Sequence, residues 1–162
     1  MIVIKNIYSD HARSQIDKKC IALDLDNTLI DLKGIKRNGC DELIHHIRKK
    51  GYGVMIWTNS TFQRAQDIIQ AENISCDYLV PREAYDFLEF DRLKPPEWVR
   101  KMKYDNEAPK PLKLLGVSVI VDDSPDRKRE GEAMKTTFIK VKPCRDASVK
   151  DNDLLEVRKK IK

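Results

Sequence analysis

The 162-residue chain reads as an α/β protein: one domain, residues 1–162, on a doubly wound, mostly parallel five-stranded sheet with helices on both faces. Two observations lead there. Apolar runs of strand length alternate with stretches whose apolar residues recur at helical spacing. Strands separated by helices form βαβ units, and these build parallel sheets covered on both sides.

The elements follow in order. Residues 20–25 form the first β-prone run. Residues 40–50 place Cys40, Leu43, Ile44 and Ile47 on one helical face and stop at Gly51, which suits the left-handed position after a helix. Residues 53–57 read as a second, buried strand. Ser60-Thr61-Phe62-Gln63 fits a capping box, and Phe62, Ala65, Ile68 and Ile69 continue it as a helical stripe. Residues 78–80 are a third strand, and residues 95–103 a helix opened by proline. Residues 117–121 make the clearest strand. Ser124-Pro125 starts a helix reaching about Met134, and residues 137–141 are the fifth strand. Leu154, Val157 and Ile161 line a closing helix. Residues 142–152 read as a loop, and the polar stretch 81–94 as a crossing of the site's mouth. Trp57 belongs to the core, Trp98 anchors its helix, and His45 and His46 belong on the surface.

Composition narrows the class. The chain is 41% apolar and 35% charged, as soluble globular proteins are. Its apolar runs fall short of the roughly 20 residues of a membrane span, and Lys5 interrupts the N-terminus too early for a signal peptide. A cytoplasmic protein without membrane partners is expected. Cys20, Cys40, Cys76 and Cys144 form no C-x-x-C pair and no zinc spacing with the histidines, so they read as reduced, apolar side chains. A net charge of +5 favours anionic partners, nucleic acid or a phosphorylated substrate, and equally suits a merely soluble surface.

Ligands on parallel sheets bind at the carboxyl ends of the strands. Those ends carry Asp24-Leu25-Asp26-Asn27-Thr28, Thr58-Asn59-Ser60 and Asp122-Asp123-Ser124. Four carboxylates brought to one sheet edge cannot all stay ionised without a cation, and hard oxygen ligands suit Mg2+. Asp24 and Asp26 lie two apart where a strand ends, and the small polar residues after them suit a sharp turn that redirects Asp26. One carboxylate can then attack phosphorus while the other handles protons.

Together these segments resemble the haloacid dehalogenase-like (HAD) phosphatases. Asp24-Leu25-Asp26-Asn27-Thr28 is similar to their D-x-D-x-T signature, Trp57-Thr58-Asn59-Ser60 to their second motif, and Val119-Ile120-Val121-Asp122-Asp123-Ser124 to their fourth. The three stand in order, each ending an expected strand, over roughly residues 20–141. The resemblance implies Asp24 as nucleophile and Asp26 as general acid/base. It implies Thr58 and the backbone amide of Asn59 as phosphate ligands. It assigns Mg2+ to Asp24, Asp122 and Asp123, with Asp26 giving a backbone carbonyl. A second aspartate argues for phosphoryl transfer rather than dehalogenation.

The superfamily also requires a third-motif Lys or Arg. Lys94 precedes Pro95-Pro96-Glu97, similar to a K-P-x-x-E helix start, and is preferred because it leaves room for a helix before the fourth strand. Lys110, in Lys110-Pro111-Leu112-Lys113-Leu114-Leu115-Gly116, resembles small phosphatases acting on the polymerase C-terminal repeat. Six α-helical residues rise only about 9 Å, however, against roughly 17–20 Å for a typical strand. Lys101 and Lys103 are further candidates. Only about ten residues separate the first motif from the first helix, and no extra domain fits between later motifs, so the chain resembles capless members. An open site implies a large substrate: a nucleic-acid end, since 78–83 is similar to polynucleotide 3′-phosphatases, or a phosphoprotein. The alternative is a non-catalytic module that recognises phosphate on the same fold.

Overall fold

In the computed structural model, the structure describes residues 1–85 and 109–162, with Lys94 and Glu97. Among these, six strands form one sheet in the order β1-β4-β3-β2-β5-β6, every neighbouring pair parallel. They are β1 (Ile2–Val3), β2 (Cys20–Leu23), β3 (Gly53–Trp57), β4 (Tyr78–Val80), β5 (Val119–Asp122) and β6 (Thr137–Lys140). The doubly wound α/β expectation holds, with six strands rather than five. The added one is β1, which pairs Ile2 with Tyr78 and Val3 with Leu79. Two residues are too few for any periodicity to mark them.

Side chains alternate across the sheet as its pleat requires. Ile21, Leu23, Val54, Ile56, Leu79 and Val121 face one core. It is closed by α2 (Cys40–Lys49), α3 (Phe62–Ala71) and α5 (Asp153–Val157) through Leu43, Ile47, Ala65, Leu154 and Val157. Ala22, Met55, Trp57, Tyr78, Val80 and Ile120 face the other. There α1 (Asp10–Ser14) and a 3₁₀ turn, Leu112–Leu115, supply Ala12, Leu112 and Leu115. The helix after the acidic pair, α4 (Pro125–Met134), is present as expected.

Three local expectations shift. The cap of α3 is Thr61, whose hydroxyl accepts from Arg64 N, rather than Ser60. The strand expected from Val117, β5, begins at Val119, because Val117 N still bonds Leu112 O. The closing helix is α5 continued by a 3₁₀ turn, Arg158–Lys160, which keeps Leu154, Val157 and Ile161 buried. The helix expected over 95–103, with Trp98, Lys101 and Lys103, lies outside the described residues apart from Glu97, which is exposed. No helix among the described residues is long and apolar enough to cross a membrane.

Candidate active site

The carboxyl ends of β2, β3 and β5 border a pocket of about 430 Å3 lined by Asp24, Asp26, Thr58, Lys110, Asp122 and Asp123, among others. Asp24 N still donates to Val121 O, so its carboxylate leaves the sheet at the strand's last paired position. The chain then turns sharply. Asn27 takes φ 61, a left-handed value that Asn tolerates, and Thr28, Leu29 and Ile30 all donate backbone N–H groups to Leu25 O. The turn separates the two aspartates. Asp24 stays buried, whereas the Asp26 side chain is 38% exposed and pairs with Arg64 Nη1 at 2.8 Å. The same Arg64 nitrogen donates to Ser60 Oγ at 2.9 Å.

The cation beside Asp24 is Lys110. Its Nζ lies 2.6 Å from Asp24 Oδ1 and 2.9 Å from Asp122 Oδ2, with a side chain only 3% exposed. Lys94, the preferred candidate from the sequence, is exposed instead. The length objection to Lys110 fails for two reasons. Its connection is a 3₁₀ turn ending at Gly116 (φ 69), not an α-helix, and β5 has four residues. A 3₁₀ turn rises about 2 Å per residue, so Leu112–Leu115 rises roughly 8 Å, and Pro111 before it with Gly116 to Ser118 after it carry the connection the rest of the roughly 13 Å of a four-residue strand.

Asp24, Asp122 and Asp123 each offer an oxygen within 4.8 Å of the others, so three of the four expected carboxylates form the cluster. Asp26 points to Arg64. Thr28 Oγ1 is 3.0 Å from Asp24 Oδ2 and 3.1 Å from Asp123 Oδ1. With one proton, it can donate to only one of them. Burial pushes Asp24 up to about 8; Lys110 pulls it down and Asp122 adds to the rise. Burial and Asp122 also raise Asp123. Burial works against the charge of Lys110, but Asp122 and Asp24 outweigh it and raise its pKa. Lysine alone therefore does not offset the carboxylates. With every group ionised, the buried Asp24, Asp122, Glu130, Lys110 and Arg127 and the half-buried Asp123 carry two surplus negative charges. One divalent cation would balance that surplus, and the all-oxygen donor set suits Mg2+.

Thr58 is fully buried and its Oγ1 accepts from Ser60 N at 3.0 Å, which curls the loop from Thr58 to Thr61 around the pocket edge; Asn59 lines it too. Four residues escaped the sequence reading. Arg64 and Arg82 line the pocket, while Arg127 and Glu130 are buried behind Asp122. Only the position of Arg64 in the first turn after the second motif hinted at its role. Arg127 and Glu130 stand in the run Arg127-Lys128-Arg129-Glu130, which looks like a solvated helix face.

No curated protein matches the chain significantly. The family model of the NLI interacting factor-like phosphatases matches residues 19–162, from the start of β2 through α5. That span includes the Asp24 turn, the Thr58 loop, Lys110 and the Asp122–Asp123 pair, and the family's capless HAD-like architecture agrees with the sheet described above. The chain belongs to the NLI interacting factor-like phosphatase family.

Proposed function

We propose that this phosphatase is a Mg2+-dependent phosphomonoesterase that works through an acyl-phosphate on Asp24, on a phosphate carried at a macromolecular end. The observation that carries it is the buried Lys110 ammonium, 2.6 Å from Asp24 at the base of an open pocket and beside a carboxylate cluster with surplus negative charge.

Asp24 attacks phosphorus with one carboxylate oxygen, and the bond from phosphorus to the ester oxygen breaks. Asp26 gives the leaving oxygen its proton. Asp26 then takes a proton from water, which attacks the aspartyl-phosphate; the Asp24 acyl-phosphate breaks, releasing inorganic phosphate and regenerating Asp24. Thr58 Oγ1 and the backbone N–H of Asn59 hold phosphoryl oxygens, and Lys110 offsets charge on Asp24 and the phosphoryl group. Asp24, Asp122 and Asp123, with the Asp26 carbonyl, would hold Mg2+, whose chemistry is to neutralise and orient phosphoryl oxygens. Arg64 orients Asp26 at the mouth.

An open pocket with Arg64 and Arg82 at its rim, on a protein of net charge +5, suits an anionic polymer end, nucleic acid or phosphoprotein. The test is a panel of p-nitrophenyl phosphate, 3′- and 5′-phosphorylated oligonucleotides, mononucleotides and phosphopeptides, with Mg2+ or EDTA. Turnover in EDTA equal to that in Mg2+ would sink the metal assignment. Mononucleotides turned over as efficiently as the polymers would sink the macromolecular one.

A further inference from the structure

Lys110 is held at both ends. Its ammonium meets Asp24 and Asp122, and its backbone N–H donates to both Glu130 oxygens at 3.1 and 3.2 Å. Arg127 Nη1 donates to Glu130 Oε1, and Arg127 Nε lies 3.7 Å from Asp122 Oδ2, the oxygen that also receives Lys110. The other Asp122 oxygen accepts from Ser124 N at 2.8 Å. Lys110, Glu130, Arg127 and Asp122 thus close a ring behind Asp24.

The ring is set inside the protein. The Arg127 and Glu130 side chains are 0% and 6% exposed, three residues apart on the inner face of α4, while Lys128 and Arg129 between them are exposed. Burying such a pair strips both ions of their hydration, and apolar residues of similar volume commonly serve stability as well or better. Stability therefore does not account for it. What the pair does accomplish is geometric: Glu130 fixes where the backbone of Lys110 enters the site, and Arg127 shares the charge of Asp122.

We propose that Arg127 and Glu130 are positioning residues for Lys110, anchoring its backbone and occupying part of Asp122, so that its ammonium stays on Asp24. This rests on the assignment of Lys110 given above. Without Arg127, Asp122 Oδ2 draws Lys110 away from the nucleophile. Without an acceptor at position 130, the Lys110 backbone N–H is buried unpaired and the segment shifts.

The experiment measures kcat, KM and thermal unfolding with p-nitrophenyl phosphate and Mg2+. It compares Arg127→Met/Glu130→Leu with Arg127→Met/Glu130→Gln, and uses Lys110→Met as reference. Removing both charges at once leaves no unpaired ion in the core. The leucine variant is expected to stay folded with an unfolding temperature near that of wild type, since relief of two buried charges offsets the unpaired Lys110 N–H, while kcat falls about tenfold or more and KM stays within about twofold. The glutamine variant, whose amide oxygen still accepts from Lys110 N–H, is expected to recover part of that kcat. Unchanged kcat in a folded leucine variant overturns the proposal. So does an equal loss in both variants that tracks a falling unfolding temperature, since that is a structural effect. Should the leucine variant not fold, the glutamine variant decides: kcat within about twofold of wild type overturns the proposal, and a larger loss at constant KM supports it. If Lys110→Met itself keeps its kcat, the assignment of Lys110 fails, and the positioning proposal fails with it. If Lys110→Met loses kcat while both double variants keep theirs, only the positioning fails.

Discussion

Arg37 and Lys110 are both buried cations facing two carboxylates, yet they sit in opposite settings. Arg37 bonds Asp151 through Nε and Nη2, approaches Asp153 at 3.6 Å, and donates Nη1 to Thr28 O. Those two carboxylates are 33% and 31% exposed, so water still solvates them. The partners of Lys110 are 11% and 1% exposed, and a third carboxylate adjoins them. Hydrated partners make Arg37 a clamp that ties the start of α5 to the turn behind the first motif. Stripped partners in a surplus of negative charge leave Lys110 a cation beside the carboxylate that the proposed mechanism uses as nucleophile. Burial alone does not distinguish the two roles; the hydration and balance of the opposing charges do.

The comparison breaks most completely at Asp24. Asp24→Asn is expected to abolish turnover, measured by phosphate release, while the protein stays folded. It should also unfold at a higher temperature than wild type without metal at pH 8. With Asp24 raised from its ordinary 3.8 to about 8, the metal-free folded state keeps a proton that the unfolded chain has already lost across that window. Rising pH therefore erodes wild-type stability there, and the advantage of the variant should shrink toward pH 4. A gap that widens as pH falls would contradict this.

Next in size is the contrast between the lysines. Lys110→Met should lower kcat by about 10²–10³. Lys94→Ala should leave kcat and KM unchanged, as a surface substitution would. Equal losses in the two variants would return Lys94 to the site.

Arg37→Met tests the other side of the comparison. Leaving Asp151, Asp153 and Thr28 O without their guanidinium should cost about 3 kcal/mol in a urea titration, with kcat falling less than about tenfold under native conditions. A loss of activity as large as that of Lys110→Met, with stability intact, would make Arg37 part of the chemistry.

The metal gives a smaller effect. Mg2+ should raise the unfolding temperature of wild type, and Asp122→Asn should require about tenfold more Mg2+ for half-maximal rate, because one anionic ligand is lost. Smallest is Arg64→Ala, which frees Asp26 from its only described ion pair and should lower kcat/KM by about threefold to tenfold. A loss beyond about a hundredfold would give Arg64 a direct role on the phosphoryl group.

Much of this was legible in the sequence because it is local. The runs at 20–25, 53–57 and 78–80 carry no charged side chain except Asp24, where the first strand ends, as strands covered on both faces require, and each observed strand of β2 to β6 overlaps an expected run. Acidic and hydroxyl residues at three of those ends then had to meet, since a parallel sheet brings its carboxyl ends to one edge. The Asn27 turn is local too: a left-handed residue directly after Asp26 folds the chain back onto Leu25 O just where the two aspartates part.

What the tertiary structure alone decided was the cation and its support. Sequence spacing bounds how far a connection reaches but not how steeply it rises, so a 3₁₀ turn across a short strand brought in Lys110 where an α-helix would have fallen short. Likewise, an Arg and a Glu three apart in a charged run carry no sign of facing inward. The buried acceptors that make this worthwhile, Asp122 for Arg127 and the Lys110 backbone for Glu130, come from distant elements. The order of motifs along the chain determined which carboxylates assemble; the packing of α4 and the 110–116 segment on the sheet determined which positive charge answers them, because charge pairing is settled by distance and dehydration, and both exist only once the chain has folded.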